Sequence, residues 1–227
     1  LYWRGRVVEN SEDESEAESF VAGDDVAIAG SEGEAGASEN ANALPVARQQ
    51  ETAAMTPVER LAAKADGKQW ELVENQRGIT YYKLFGPYLA GAKKIVVEDA
   101  YVRKPYQLRN LAEFLEMLLR CKNSDEDVAV HLVTGHNDPE FVEAQLNGLN
   151  ELASTFSQLG VNLTYEFRDT LHDRSITSDT GWEILPGRGL DIFQKIVDGD
   201  WLNPLLRHQQ LRRVKECKVT YQRVREK

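Results

Sequence analysis

The 227 residues, 41% of them apolar, carry a formal charge of −10, which bounds the chain to one domain of ordinary size plus additional segments. Two distant cysteines, Cys121 and Cys217, exclude a disulfide framework or a paired-cysteine metal site and fit a reducing, cytoplasmic setting with buried thiols. No run approaches the roughly 18–20 apolar residues that cross a bilayer, and no basic, apolar, small-residue series reads as a signal peptide.

Residues 1–8 form an apolar, strand-like scrap with no initiator Met, which predicts that the chain continues upstream. The charge that follows is uneven. Residues 9–40 hold eleven Asp or Glu and no Lys or Arg, and only Arg4 and Arg6 precede them, so the chain from Ala41 onward is close to neutral. A global argument against phosphate ligands therefore fails; only the acidic stretch repels them. That stretch, rich in Glu, Ser, Ala, Gly and Asn, has too little apolar surface to offset the entropy of ordering, and residues 1–55 read as a disordered acidic linker. An acidic tail binding a basic partner is the functional alternative.

Thr56-Pro57-Val58-Glu59 has the order of a helix start, with Thr as cap, Pro first and Glu third. It predicts a short helix to about Lys64 within a connector at 56–68, and a folded domain over 69–227. Residues 79–89 read as a short helix interrupted by Gly86-Pro87. Residues 94–100 form a compact strand. Pro105 opens an amphipathic helix with Leu108, Leu111, Leu115 and Leu118 on one stripe. Residues 128–133 are a second strand. Asp138-Pro139-Glu140 reads as the cap of a long helix with Val142, Leu146, Leu149 and Phe156 inward, closed by Gly160. Residues 161–167 are a third strand, 175–177 and 182–185 a hairpin around Asp179-Thr180-Gly181, and 218–224 a last strand.

Strand–helix–strand–helix–strand followed by strands predicts an α/β fold: a mostly parallel mixed sheet flanked by helices, with an antiparallel hairpin appended. Ligands of such sheets favour the carboxyl ends of the strands. Asp99, Tyr101 and Thr134 fall there and are assigned to a pocket edge, beside the chain that follows the third strand.

That following chain holds the most informative spacing: His172, Arg174 two residues on, and Asp179 after four more. Phosphodiesterases of the phospholipase D type carry His-x-Lys-x4-Asp, in which the imidazole attacks phosphorus and the cation grips the phosphate oxygens. Arg174 stands where that pattern has Lys; its planar fork can grip phosphate but does not reproduce a compact ammonium.

Taken in order, Tyr82-Lys83-Leu84-Phe85-Gly86-Pro87-Tyr88-Leu89, Val97-Glu98-Asp99-Ala100-Tyr101-Val102-Arg103, His172-Asp173-Arg174, and Gly181-Trp182-Glu183-Ile184 with Gly187-Arg188-Gly189-Leu190-Asp191 resemble the phospholipase D-like domain at the C-terminus of the MIT-domain family. The resemblance covers about 150 residues from Trp70. It implies a phospholipase D-like fold without enzyme activity that dimerises and attaches to anionic lipid headgroups at a membrane. Animal members add a three-helix module that binds ESCRT-III filaments. The acidic residues 9–40 do not read as that module, so the filament partner is not carried over. The Ala/Gly/Glu-rich linker reads as bacterial, where such domains serve as appendices to larger machines.

Catalysis in the phospholipase D manner uses two motif copies, one His as nucleophile and one as general acid. Only one copy is present, so turnover by His172, Arg174 and Asp179 requires a homodimer. The Lys is replaced, and Pro186-Gly187-Arg188-Gly189 lacks the hydroxyl that such enzymes place on phosphate. These departures predict a degenerate, inactive site. Binding requires less: Arg174 and Arg188 can hold a phosphate without a nucleophile, with glycines allowing close backbone approach. The structural alternative pairs Arg174 with Asp179 or Asp191. Arg207, Arg212, Arg213, Lys215, Lys218, Arg223 and Arg225 make the C-terminal part basic, and Arg212, Arg213 and Lys215 join Arg174 and Arg188 as candidate lipid contacts. Trp182 reads as core and Trp201 beside Leu202 as core or interface.

The expectation is therefore a binding module for anionic phosphate groups, foremost phospholipid headgroups, acting as a peripheral membrane homodimer without cofactor or metal. The alternatives are a phosphodiesterase or nuclease with one site built across a dimer, and a scaffold that binds another protein. Nucleic acid is a conceivable partner, but no zinc spacing, aromatic RNA-binding signature or helix-turn-helix supports it. No Gly-rich phosphate loop or Walker lysine is present.

Overall fold

A computed structural model of the chain describes residues 55–196 and 202–224. The acidic residues 9–40, Trp201 and Arg225 lie outside the described residues. Thr56 caps the first helix, α1 (Pro57–Ala62), by accepting from the Glu59 amide at 3.1 Å, and Glu59 Oε2 returns the bond to the Thr56 amide at 2.7 Å. Although the sequence marks this segment as a connector, Leu61 is buried in the same core cluster as the sheet. A short strand, β1 (Trp70–Leu72), follows, then the four-residue helices α2 (Tyr81–Leu84) and α3 (Gly86–Leu89).

Next come β2 (Lys94–Asp99), α4 (Pro105–Leu119), β3 (Val128–Thr134), α5 (Val142–Ser157) and β4 (Val161–Phe167). In α4, Leu111, Phe114, Leu115 and Leu118 are almost wholly buried, each contributing on the order of 1.5–3 kcal/mol by leaving water. The two long helices approach closely: a Cβ on Gly148 would stand 2.6 Å from Leu108 Cδ1. Asp138-Pro139-Glu140 does not cap α5. The helix begins at Val142 after a turn in which the Phe141 amide donates to the Asp138 carbonyl. Gln145, not Leu146, is the buried residue on its first turn, because its amide bonds the carbonyls of Val102 and Gly135 and its oxygen accepts from the Asn137 amide.

The remaining elements are β5 (Arg174–Ser178), β6 (Trp182–Pro186), α6 (Pro204–Arg207), a 3₁₀ turn at Gln209–Leu211 and β7 (Cys217–Arg223). The seven strands form one sheet in the order β1-β7-β6-β5-β2-β3-β4. Only β2–β3 and β3–β4 are parallel; the other four pairings are antiparallel. The expectation of a mostly parallel sheet is corrected accordingly. Parallel pairing needs a long crossover, which α4 and α5 supply. After β4 the chain turns back beside β2, and the hairpin and β7 extend the sheet antiparallel from there.

Tyr81, Phe85 and Phe114 centre the core, with Phe85 and Phe114 edge to face at 6.1 Å between centroids. The Tyr81 hydroxyl donates to the Leu190 carbonyl, which ties the loop after β6 to that core. Burial pushes its ionisation well up, so it stays a neutral donor. Trp182 is buried as its sequence context predicts, and Cys121 is buried with its thiol pushed up to about 12 by desolvation. Cys217 is half-buried.

Candidate functional site

The carboxyl ends of β2, β3 and β4 open on one edge of the sheet. Because β5 runs antiparallel to β2, its first residue, Arg174, stands opposite the last residue of β2, Asp99. Asp99 is only 3% exposed. Its Oδ1 accepts from the Tyr101 amide at 3.1 Å and its Oδ2 from the Leu190 amide at 2.9 Å. Gly189 makes the second bond feasible: its φ is +59°, and a Cβ there would lie 2.0 Å from Asp99 Oδ2. Burial raises the Asp99 pKa, opposed by the two amides and by Arg174.

Arg174 Nε lies 3.8 Å from Asp99 Oδ1. Its NH1 donates to the Gly187 carbonyl at 3.1 Å, and its Cζ sits 4.4 Å from the centroid of the Tyr101 ring. An acid, a carbonyl and an aromatic face thus aim the guanidinium while 25% of the side chain stays exposed. Its carboxylate partner is neither of the two expected from sequence. Asp191 pairs with Lys215 at 2.8 Å. Asp179 accepts from the Lys93 amide at 3.0 and 3.3 Å, at the opposite end of β5.

The other expected residues scatter. His172 is exposed, just ahead of β5, and makes no hydrogen bond among the described residues. Arg188 is exposed, its Nε donating to the Glu216 carbonyl at 3.0 Å. Arg213 is exposed. Tyr101 is 45% exposed, but Thr134, expected beside it on a pocket edge, is fully buried and accepts from the Val102 amide. Asp99 likewise lies beneath the edge. Arg212, expected as a lipid contact, is 5% exposed, ion-paired to Glu113, and donates to the Leu205 carbonyl at 2.9 Å. It serves the interior, since a buried guanidinium persists only with its donors satisfied. Lys218 faces Glu71 at 3.8 Å, and Arg223 lies 4.0 Å from the Trp182 ring. The C-terminal cations do not share one face-directed role.

Sequence reasoning overlooked a second group on the same edge. Thr134 and Phe167 are register partners in β3 and β4, which places His136 and Asp169, each two residues further, side by side. His136 Nδ1 lies 3.0 Å from Asp169 Oδ2, the His136 amide donates to Oδ1 at 2.9 Å, and the imidazole stacks on Phe167 at 4.1 Å. These contacts with the His136 amide and ring lower the Asp169 pKa. Arg103 joins them: its Nε donates to the Ala100 carbonyl at 2.7 Å, and its Cζ stands 5.5 Å from the Tyr101 ring. A side chain on Gly135 would collide with its guanidinium. The edge therefore offers two oriented guanidiniums about one tyrosine, with a histidine–aspartate pair next to them. Among the described residues, no group of three or more His, Cys, Asp or Glu is placed to hold a metal ion.

Residues 78–223 match the model of the phospholipase D-like domain at the C-terminus of MIT. The chain belongs to this family. MIT domain-containing protein 1 of Mus musculus is 36% identical to it over 138 residues, which cover 58% of this chain and 54% of that protein. The chain thus spans about half the length of that protein. The phospholipase D-like module includes Asp99, Arg174, Gly189 and the His136–Asp169 pair; α1 and β1 precede the matched residues.

Proposed function

We propose that this phospholipase D-like module is a catalytically degenerate receptor for anionic phosphate groups, foremost phospholipid headgroups, working at a membrane surface from the cytoplasmic side as a homodimer. The observation that carries the reading is the state of Arg174, oriented by Asp99, the Gly187 carbonyl and the Tyr101 ring yet partly open to solvent. A guanidinium aligned before the ligand arrives loses little further freedom on binding, and its fork matches phosphate oxygens. Arg188, exposed beside the same loop, supplies the second cation, and Arg213 adds a peripheral one. Arg212 and Lys215 are left out because both are held by internal carboxylates. The dimer rests on the family resemblance. Among the described residues no helix is long and apolar enough to cross a membrane, and the proposed attachment is peripheral.

Co-sedimentation with vesicles tests this reading. Wild type is expected to pellet with vesicles containing phosphatidic acid or phosphatidylserine and to stay in solution with pure phosphatidylcholine, the difference fading as salt rises. Arg188→Glu combined with Arg213→Glu should abolish pelleting without changing the melting temperature. Equal recovery on neutral and anionic vesicles contradicts the reading.

A second reading, a phosphodiesterase built across two copies, is favoured by the exposure of His172, whose ring has no hydrogen-bond partner among the described residues. Release of product from a phosphodiester reporter or from DNA by wild type, and its loss in His172→Ala, would support it; identical traces reject it.

A further inference from the structure

A cavity of about 530 Å³ lies between the start of α4, the start of α5 and the chain at 193–196, with neither Arg174 nor Arg188 in its lining. Its volume falls within the roughly 300–1,000 Å³ typical of small-molecule sites. Two features set it apart from a packing defect. First, Asn110 on α4 lines it while only 5% exposed, and its side-chain amide makes no hydrogen bond among the described residues. The buried side-chain atoms without a partner among the described residues are Asp191 Oδ1 and Tyr221 Oη. The small exposed part of Asn110 therefore includes its polar atoms, which open onto the cleft where a ligand or water can meet them. Neighbouring buried amides do not share this condition: Gln107 accepts from the Lys104 and Arg103 amides, and Gln145 uses both ends of its side chain.

Second, the lining is divided by chemistry. Phe141, Phe193 and Tyr106 supply aromatic walls, and Leu108 and Ile196 add aliphatic surface. The charged groups are Arg103, Lys104, Arg109 and Lys195 against the lone carboxylate of Asp138, with the buried Arg212 already paired to Glu113. Lys104, Arg109 and Lys195 are exposed and make no ion pair among the described residues. An apolar slot with an amide opening into it and an excess of cations is complementary to one kind of molecule. That molecule has a flat apolar body, a polar atom to meet Asn110, and an anionic group.

We infer that the cleft between α4 and α5 is a binding site for a small organic anion with an aromatic body, such as an aryl or nucleoside phosphate or carboxylate. Asn110 reads a polar atom of that body, and Arg109, Lys104 and Lys195 hold the charged end. The inference does not depend on the membrane reading, whose cations lie elsewhere.

The probe is 8-anilinonaphthalene-1-sulfonate, which combines an aromatic body with a fixed anion. Wild type should bind it at one site with enhanced, blue-shifted fluorescence, and the side-chain amide resonances of Asn110 should move in a heteronuclear NMR titration. Phenyl phosphate should displace it at concentrations where inorganic phosphate does not. Ala144→Trp, placed on an exposed position of α5 that lines the cleft, should weaken probe binding by about tenfold or more, because the indole occupies the space the probe needs. Its melting temperature and vesicle pelleting should match wild type. Arg109→Glu should weaken binding at low salt and lose that effect at high salt. Probe binding unchanged by Ala144→Trp, or Asn110 resonances that stay fixed at probe saturation, overturns the inference. Failure of vesicle pelleting alone leaves this site standing and removes only the membrane reading.

Discussion

The two ends of β5 carry the two halves of the His172–Arg174–Asp179 spacing, and they do different things. At one end Arg174 meets a buried carboxylate on the neighbouring strand, a loop carbonyl and an aromatic ring, and still reaches solvent. At the other, Asp179 closes the hairpin and accepts from the Lys93 amide. Five residues along a strand separate their backbones by roughly 16 Å, so the spacing describes a strand with two functions rather than one constellation. The charged network at the Arg174 end is completed by Asp99, 75 residues earlier in the chain.

The sharpest break in this contrast is at Gly189. Gly189→Ala forces a Cβ onto Asp99 Oδ2 and strains a residue at φ +59°, and should cost on the order of 2–4 kcal/mol in chemical denaturation. Asp99→Ala is close behind, about 2–4 kcal/mol, because it leaves the Leu190 amide buried without an acceptor, the part-buried Tyr101 amide without its partner and Arg174 without its carboxylate. Asp179→Ala removes one exposed acceptor and should cost only about 0.5–1.5 kcal/mol. Arg188→Glu should fall within about 0.5 kcal/mol of wild type. If Asp179→Ala costs as much as Asp99→Ala, the two ends of the strand are not distinct in the way argued.

Acid titration sharpens the comparison further. Burial raises the Asp99 pKa in the folded state, so the folded protein binds that proton more tightly than the unfolded chain. The contribution of this group to stability therefore rises as pH falls through its folded pKa toward the ordinary carboxylate value near 3.8. The stability of wild type minus that of Asp99→Asn should grow on acidification over that window. Asp169, whose pKa is lowered, acts oppositely: its contribution is present above the unfolded value and fades as pH falls through the folded one. A flat difference curve for Asp99→Asn contradicts the desolvation argument.

Much of the fold was legible because local patterning and tertiary demand agreed. In β3, Val128, Val130 and Leu132 are buried, and in β4 the alternation of Val161 and Leu163 with polar neighbours fits an edge strand, so residues 161–167 match β4 as read. The leucine stripe from Pro105 matches α4 because the same stripe packs the core. Strand β1, three residues long, gave no pattern, since Trp70–Leu72 is held by pairing with β7 nearly 150 residues away. Sheet direction was misread because helical crossovers reveal only the parallel pairs, not where the returning strand inserts. Of the site, the glycines beside Arg188 carried a visible signal, although the demand sits on Gly189. Arg212 looked like a surface cation because nothing local announces the Glu113 that buries it. The His136–Asp169 pair was accessible: both follow their strands by two residues, and a parallel register sets them together.

The central claim is that Arg174, aimed by Asp99, receives an anionic phosphate. The most direct measurement is the NMR response of its side-chain Nε–H to soluble dihexanoyl phosphatidic acid, with dihexanoyl phosphatidylcholine as control. The account predicts saturable shifts at Arg174 and Arg188 with the acid lipid alone, while Arg212, sealed against Glu113, stays fixed. An Arg174 signal that does not move at saturating phosphatidic acid, or that moves equally with both lipids, contradicts it.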